Sequence, residues 1–306
     1  MQRYLLNRVA QSILLLFGVL IIVFFMVRLT GDPATLMVAR DAPEEVREAF
    51  REVMGFNRPL IVQFFDYFFD VLGGDFGDSL KFRQPALRLI LQRFPATFQL
   101  ATAALLFAIV IAIPIGIIGG FSPGSALDSI GRALGLLGQT IPNFWLALIL
   151  IIIFAVNLGW FPSFGRDQTI SVILPSIALG FASMGQLVRL TRSAVLEIRN
   201  EDYIRTARSK GISQLKIGIR HIFRNAALAL ISVITIQYSY LLGGSIYIET
   251  IFSWPGLGNL LQEAVNGRDF PLVQAIAFFI SFFVIALNLL TDVAYALIDP
   301  RIRYGN

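Results

Sequence analysis

The residue types that usually perform chemistry are scarce in this chain of 306 residues. It has one histidine, His221, and no cysteine, so neither a two-histidine metal site nor a thiolate or disulfide site can form. It contains no G-x-S-x-G nucleophile elbow, no H-E-x-x-H zinc motif and no G-x-x-x-x-G-K-[ST] phosphate loop. Gly256-Leu257-Gly258 lacks the third glycine of a dinucleotide fingerprint. We therefore expect no catalytic centre, no metal and no cofactor bound by this chain.

The most informative polar segment is 197–226, EIRNEDYIRTARSKGISQLKIGIRHIFRNA. Asn200 is a suitable N-cap for a helix. Glu201 and Asp202 then occupy the first turn, where acidic side chains complement the helix dipole. Gly211 follows at the position where a left-handed residue ends a helix. The spacing predicts a short helix and a glycine turn.

A second helix, capped by Ser213, is expected to follow the turn and to lead toward the next apolar segment. Basic side chains project from this pair of helices: Arg205, Arg208 and Lys210. Such a surface can dock a cytoplasmic protein. It can also anchor to anionic lipid headgroups, or only supply the charge that orients the chain in a membrane. A helix-turn-helix that binds nucleic acid is not expected between two membrane spans.

The elements that must position this segment are apolar. Hydrophobic side chains make up 56% of the chain and charged ones 15%, and six windows that together form half of the chain carry no charge. These windows are 9–27, 94–127, 133–165, 168–188, 225–248 and 270–291. An uncharged apolar run of about 18 residues or more is typical of a membrane-spanning helix. Composition thus excludes a soluble enzyme, a disordered chain and a disulfide scaffold, and it predicts an all-α polytopic membrane protein.

We predict six transmembrane helices in a single transmembrane domain over residues 1–306. The spans are 9–28, 97–120, 134–157, 169–190, 226–248 and 273–295. The larger connections are an extracytoplasmic segment at 29–93, a cytoplasmic coupling loop at 191–225 and an outer loop at 249–272. If the N-terminus is cytoplasmic, the short inner segments hold 14 Lys and Arg, and the short outer loops hold only Arg166 and Arg268. By the positive-inside rule, both termini face the cytoplasm.

The outer segment at 29–93 contains two helical patterns. Residues 43–54 predict a short charged helix. Residues 59–74 are apolar but too short to cross a membrane, and three polar side chains share one helical face: Gln63, Asp66 and Asp70. We expect an amphipathic helix that lies on the membrane surface or packs on the spans, with a solvated loop as the alternative.

A few residues within or beside the spans interrupt their uniform character. Asp292 lies at the cytoplasmic end of the last span and is expected to be structural rather than a proton carrier. Pro114, Pro142 and Pro175 are expected to kink their spans around a pathway, with close packing of small residues as the alternative role of the glycines near them.

The segment at 197–226 resembles the EAA loop of bacterial ABC importer permeases, in particular the peptide/nickel-type branch. The similarity is carried by Glu201 to Arg208, Lys210-Gly211 and His221 to Ala226. The general motif has Glu at Arg205 and Pro at Arg224, and the peptide-type branch commonly departs at those two positions. Further segments resemble this branch in order and spacing: Gly31-Asp32-Pro33-Ala34, Gly55 to Leu60, Gly74 to Ser79, Pro95-Ala96-Thr97, Leu158 to Pro162, Phe252 to Gly258, Arg268 to Pro271 and Asp299 to Tyr304.

The resemblance implies the type I ABC importer transmembrane fold and the first permease subunit of a dipeptide, oligopeptide or glutathione importer in a bacterial inner membrane. The implied partners are a paralogous second permease, two ATPase subunits that carry ATP and Mg²⁺, an extracytoplasmic solute-binding protein and membrane lipid. The residues implied to couple this chain to the ATPases are Glu201, Asp202, Tyr203, Arg205, Thr206, Ala207, Arg208, Lys210 and Gly211.

The outer loop is expected to form a short gate-like helix that faces the binding protein, with Trp254 in the interfacial belt. Its implied contact residues are Trp254, Pro255, Gly256, Gly258, Arg268 and Asp269. An ordinary interfacial connection is the alternative. A different class of function, a membrane scaffold or sensor that docks a cytoplasmic partner through 197–226, would not depend on a partner with a phosphate loop.

Overall fold

A computed structural model describes residues 2–29, 38, 42–53, 55–212, 217 and 224–298. The helices in these ranges, named α1 to α12 in chain order, are Gln2–Leu29, Glu44–Val53, Leu60–Leu72, Ala86–Phe121, Ala126–Thr140, Asn143–Leu150, Ile173–Arg199, Asp202–Ser209, Arg224–Gly244, Ile246–Ile251, Leu257–Asn266 and Phe270–Ile298. A π-helical stretch, Ile151–Asn157, continues α6, and a 3₁₀ turn, Thr169–Val172, leads into α7.

Several of these helices are long and apolar enough to cross a membrane. Within the described ranges, four meet this requirement: Leu6–Met26, Ala86–Phe121, Thr169–Arg199 and Phe270–Val293. The pair α5 and α6, with its π-helical extension, makes a fifth if it is one bent span, and α9 contributes the shorter apolar stretch Leu230–Gly244. These lengths agree with a polytopic all-α protein. The number six and the side on which the termini lie stay predictions.

The third predicted span differs from a straight helix over 134–157. Helix α5 ends at Thr140, α6 begins at Asn143, and the two segments are bent by 105°. Pro142 precedes the first residue of α6, and Ile141 has the extended backbone (φ −83°, ψ 119°) that a following proline ring favours. The predicted kink at Pro142 is thus confirmed as a complete break, whereas Pro114 and Pro175 lie within the continuous helices α4 and α7.

The chain divides into two compact units, of which the first comprises Met1–Pro95 and Gly256–Asn306. Its core joins the start of α4 to α11 and α12 through these buried side chains: Ala86, Leu89, Ile90, Leu257, Leu260, Ala264, Leu272, Ala275 and Ile276. At the other end of α12, the Asp292 carboxylate lies 3.4 Å from the Arg8 guanidinium of α1, in agreement with a structural role.

The two predicted helices of the outer segment are present in the first unit. Helix α2 carries ion pairs from Arg51 to Glu44 and Glu48 at 2.9 and 2.7 Å. Helix α3 packs on α1, because the buried Phe64 ring meets the Phe24 ring edge to face at 5.3 Å. The amphipathic helix is therefore confirmed in the form that packs on a span.

The second unit, Ala96–Pro255, contains helices packed at very short range. A Cβ atom built on Gly180 of α7 would lie 2.5 Å from the Ala104 carbonyl oxygen of α4. On the opposite face of α7, the Gly185 backbone approaches Gly138 of α5 closely enough that a Cβ on either glycine would meet the other's Cα at 3.1 Å. Small residues permit such approach between membrane helices. This packing fixes α7 between α4 and α5.

Candidate coupling surface and outer segment

The predicted docking helix is α8, Asp202–Ser209. It begins directly after Glu201, whose carbonyl oxygen accepts the Ile204 and Arg205 amide groups at 3.0 and 3.2 Å. Gly211 has φ +74°, so the predicted left-handed turn is confirmed. Asn200 differs from the prediction, because it caps the C-terminus of α7 rather than the N-terminus of α8. The predicted second helix lies mostly outside the described residues, as does its cap, Ser213.

One face of α8 packs inside the second unit. Ile204 is fully buried and Ala207 is 7% exposed, and both join a cluster with Val195 of α7 and Ile217. Phe121 at the end of α4 packs against the same cluster. The prediction that Ala207 touches an ATPase directly does not agree with this burial, since its methyl group fills space between α8 and the spans. Ala207 instead attaches the docking helix to the body of the chain.

The opposite face of α8 is exposed and carries both signs of charge. The side chains of Asp202 and Arg205 are 95% and 80% exposed and lie 3.6 Å apart. Tyr203 is 42% exposed and adds a large aromatic group. The predicted coupling residues that this surface brings together are Glu201, Asp202, Tyr203, Arg205, Thr206, Lys210 and Gly211. Arg208 belongs to the same helix. The arrangement suits docking of a protein and holds no catalytic constellation.

Sequence reasoning missed the polar contacts that fix the framework behind α8. The Arg199 guanidinium donates to the Phe121 carbonyl oxygen at 2.8 Å, which satisfies the end of α4. Asp128 is 1% exposed and accepts hydrogen bonds from Arg192 through both carboxylate oxygens and from the Gly124 amide at 2.9 Å. The available signal was that Asp128 and Arg132 are the only charged residues between 94 and 165.

The predicted outer loop at 249–272 differs from the prediction at Trp254, which is fully buried rather than interfacial. A buried indole N–H requires an acceptor, and this one donates to the Ala96 carbonyl oxygen at 2.8 Å. Nearby, Glu249 is also fully buried, and its Oε1 accepts from the Thr97 hydroxyl at 2.7 Å and the Ser245 hydroxyl at 3.0 Å. These bonds tie α10 and Trp254 to α4 within the second unit.

Arg166, in the loop after the π-helical stretch, adds further contacts to Trp254 and α4. Its guanidinium lies 5.7 Å from the Trp254 ring centroid, within the range of a cation–π contact, and donates to Gln99 Oε1 at 2.8 Å. The preceding Gly165 amide donates to the Phe252 carbonyl oxygen at 2.9 Å. Three separate stretches of the second unit, around Gln99, Gly165 and Phe252, are thereby held in one arrangement.

The remaining predicted contact residues belong mostly to the first unit, and several are buried. Asp269 is fully buried, caps the start of α12 and accepts from the Ser79 hydroxyl and from the Lys81 amide at 3.1 Å. Gly256 and Gly258 are buried at the start of α11. Direct contact through Trp254 and Asp269 is therefore not supported, because each is enclosed by its own chain. Pro255 and Arg268 are partly exposed.

The described residues contain no group of three or more His, Asp or Glu side chains arranged to hold a metal ion.

Comparison with known proteins identifies the class to which this chain belongs. The family model described as binding-protein-dependent transport system inner membrane component matches residues 112–304, and the model of its N-terminal region matches residues 1–101. A Brucella abortus protein provisionally named as a peptide transport system permease is 40% identical over 313 residues, covering 99% of this chain and all of that protein. The glutathione transport system permease protein GsiC of Salmonella typhimurium is 40% identical over 305 residues, with the same coverage.

Among solved structures, a chain of the MetNI methionine ABC transporter in an inward-facing conformation matches with a TM-score of 0.59 at 19% identity. The match covers 69% of this chain and 96% of that chain. The fold is therefore that of a type I ABC importer permease.

The chain belongs to the family of binding-protein-dependent transport system inner membrane components. It is a multi-pass permease subunit of the inner membrane, and its family consists of permeases rather than enzymes. The predicted family, fold class and general function are confirmed. The individual coupling and outer contact residues stay predictions.

Proposed function

We propose that this chain forms half of the translocation pathway of an ATP-driven importer for short peptides, including glutathione-like ones. The supporting observation is 40% identity over 99% of the chain to relatives named as peptide and glutathione permeases. The second half is a paralogous permease. Two cytoplasmic ATPases bind ATP and Mg²⁺, and an extracytoplasmic binding protein delivers the cargo. Six spans place both termini in the cytoplasm.

Coupling runs through the exposed face of α8. ATP-driven closure of the ATPases displaces this helix, and the buried contacts of Ile204 and Ala207 pass the displacement to α4 and α7 as a rigid-body motion. Gly211 ends the helix through its backbone conformation. At the outer surface, Pro255 and Arg268 carry contact with the binding protein, while Trp254 and Asp269 hold their segments in position.

The composition of the complex is tested by purifying the tagged chain from detergent-solubilised membranes that express its genetic neighbours. We expect a second permease and ATPases with a phosphate loop to co-purify. The complex, reconstituted in vesicles with its binding protein, is expected to take up radiolabelled trialanine or glutathione only in the presence of ATP. Recovery of the chain alone, or with unrelated cytoplasmic proteins, would favour the scaffold function instead.

The coupling surface is tested by charge reversal. Arg205→Glu removes the pair with Asp202 and reverses one charge on the docking face. We expect it to reduce uptake at least about tenfold, because a mismatched charge across an interface costs several kcal/mol and about 1.4 kcal/mol already corresponds to tenfold. The matched control is Arg88→Glu, an exposed reversal on α4 in the predicted outer region, which should leave uptake near normal. Equal effects of the two reversals, in complexes of equal subunit content, would contradict the assignment.

Two further variants test the support of this surface. Ala207→Asp buries a charge in the cluster that attaches α8, and Gly211→Pro forbids the positive φ of the turn. Both are expected to abolish ATP-dependent uptake. Normal uptake by both variants in a well-expressed complex would remove α8 from the mechanism.

A further inference from the structure

The second unit contains a cavity of about 750 Å³ at the break between α5 and α6. Ile141 and Pro142 line it at the break itself, and α7, α9 and α10 supply the remaining walls. Within a membrane, non-helical backbone is tolerated only where it is enclosed by protein or lines a polar cavity. The break lies at the wall of this cavity, where α7, α9 and α10 enclose the non-helical backbone.

The wall of the cavity combines apolar side chains with a group of uncharged polar ones. Among the residues that the structure describes, the lining includes the amide side chains Gln139, Asn143, Gln186 and Gln237, and it includes no Asp, Glu, Lys or Arg. Gln237 is 5% exposed and lies at the centre of the uncharged run 225–248. Its Nε2 donates to Gln186 Oε1 at 2.8 Å, so the two amides are held as a pair with further donor and acceptor capacity.

Ser183 supplies the second, independent indication of a ligand. This residue of α7 lines the cavity and is 2% exposed, and its hydroxyl oxygen makes no hydrogen bond in the described structure. Ser176, two turns earlier on the same helix, instead donates to the Ile173 carbonyl oxygen at 2.9 Å. Buried hydroxyl groups are normally satisfied, so an unsatisfied one at a cavity wall points to a partner that binds there.

We propose that this cavity is a station on the translocation pathway that binds the backbone of a short peptide. The proposal rests on the function proposed above and specifies its cargo chemistry. Each peptide bond presents one N–H and one C=O, and both must be satisfied when the peptide leaves water. The Gln186–Gln237 pair and the Ser183 hydroxyl offer matching donors and acceptors, and the volume lies within the usual range for small-ligand pockets.

The lining also defines what the station does not select. The described lining of this chain offers no charged side chain that would separate acidic from basic cargo, so this half of the pathway contributes contacts to the backbone that all peptides share. Packing of a second permease against this surface is the alternative use of the cavity.

The test uses the complete importer with its binding protein in vesicles. Transport is measured with trialanine or with glutathione, depending on which of the two the unmodified complex takes up. Binding is measured by photo-crosslinking of an alanine tripeptide whose central residue is replaced by benzoyl-phenylalanine. During turnover, crosslinks are expected in residues 138–144 or 237–248. Ser183→Ala and Gln237→Leu should each lower crosslinking and the maximal uptake rate about fivefold, the effect of one lost hydrogen bond.

Ser176→Ala is the matched control, because it removes a buried hydroxyl from the same helix away from the cavity. It should crosslink and transport normally. ATP hydrolysis stimulated by the loaded binding protein should stay within about twofold in all three variants, since the docking helix is unchanged. Crosslinks only elsewhere, or equal uptake by Ser183→Ala, Gln237→Leu and the control, would overturn the proposal.

Two other results have distinct meanings. Loss of the second permease from the purified Gln237→Leu complex would assign the cavity to subunit packing and overturn the station. Absence of ATP-dependent uptake by the unmodified complex would reject the proposed peptide import itself, and the station with it.

Discussion

Buried polar contacts contribute to the packing of α5 on α7 in the second unit. Asp128 and Arg192 are 64 positions apart, yet the carboxylate is 1% exposed and is held by the guanidinium and by the Gly124 amide. A buried ion pair gains little over an apolar pair, because both charges lose water. Removing one partner is costly, however, since the other charge is left without compensation. The pair therefore specifies how α5 joins α7.

We expect Asp128→Asn to destabilise the folded chain by about 2–3 kcal/mol, less than the roughly 3–5 kcal/mol of a fully buried broken pair, because Arg192 is itself 25% exposed. Unfolding of the detergent-solubilised protein measures this loss. The matched control is Asp202→Asn, which breaks an exposed pair with Arg205 and should cost less than about 1 kcal/mol. A loss no larger than the control would show that Arg192 is solvated well enough to need no counter-ion.

At the scale of elements, periodicity and composition predict what each segment is but not what it touches. The charged helix α2, the amphipathic helix α3 and the turn at Gly211 follow from local rules, since acidic first turns, polar faces and left-handed glycines act within a few residues. The burial of Trp254 and Ala207 depends on partners far away in sequence, such as Ala96 and Val195. The sequence therefore predicted the helix at 202–209, whose coupling role stays a prediction, but it did not indicate that Ala207 lies on the buried face of that helix.

The same limit applies to the third predicted span. Pro142 indicated a kink, but a proline within a helix and a complete break have the same local sequence. In the structure the break lies at the wall of the cavity that α7, α9 and α10 also line. Those residues, including Ser183 and Gln237, carry no motif and were not singled out from the sequence. Only the assembled unit brings them together.

Helix packing gives a prediction at two glycines, Gly180 and Gly243, that both lie within helices. In Gly180→Ala the added methyl group would lie 2.5 Å from the Ala104 carbonyl oxygen, so α7 must move away from α4. We expect a loss of about 1–3 kcal/mol, as for other overpacked sites. Gly243→Ala on α9 meets nothing within 4 Å and should be neutral, or slightly stabilising through helix propensity. Thermal unfolding of the two variants in one detergent compares them directly, and an equal response would contradict the close approach.

At the scale of the whole molecule, the charge pattern predicts the location and orientation of the spans, whereas the structure gives the lengths and bends of the helices. Uncharged windows locate apolar helices, and the excess of Lys and Arg predicts which side each connection faces. The structure supplies the bend of α5 against α6, which fits either one broken span or a segment that enters and leaves on the same side. The two possibilities differ in one observable: the side on which the residues before α5 and after the π-helical stretch lie.

The absence of cysteine makes that difference measurable, because each introduced thiol is the only one in the chain. Four exposed positions, one in each connection to be located, are suitable for a single cysteine: Ser122, Asp167, Ser209 and Asn266. In spheroplasts treated with a membrane-impermeant maleimide, we expect Asp167→Cys and Asn266→Cys to react at once, and Ser122→Cys and Ser209→Cys only after permeabilisation. If Ser122→Cys reacted before permeabilisation, as Asp167→Cys does, both ends of the pair α5 and α6 would lie on the same side. The pair would then be a re-entrant segment, and the chain would have fewer than six spans. Opposite sides for Ser209→Cys and Asn266→Cys would establish that α9 crosses, despite its short apolar stretch Leu230–Gly244.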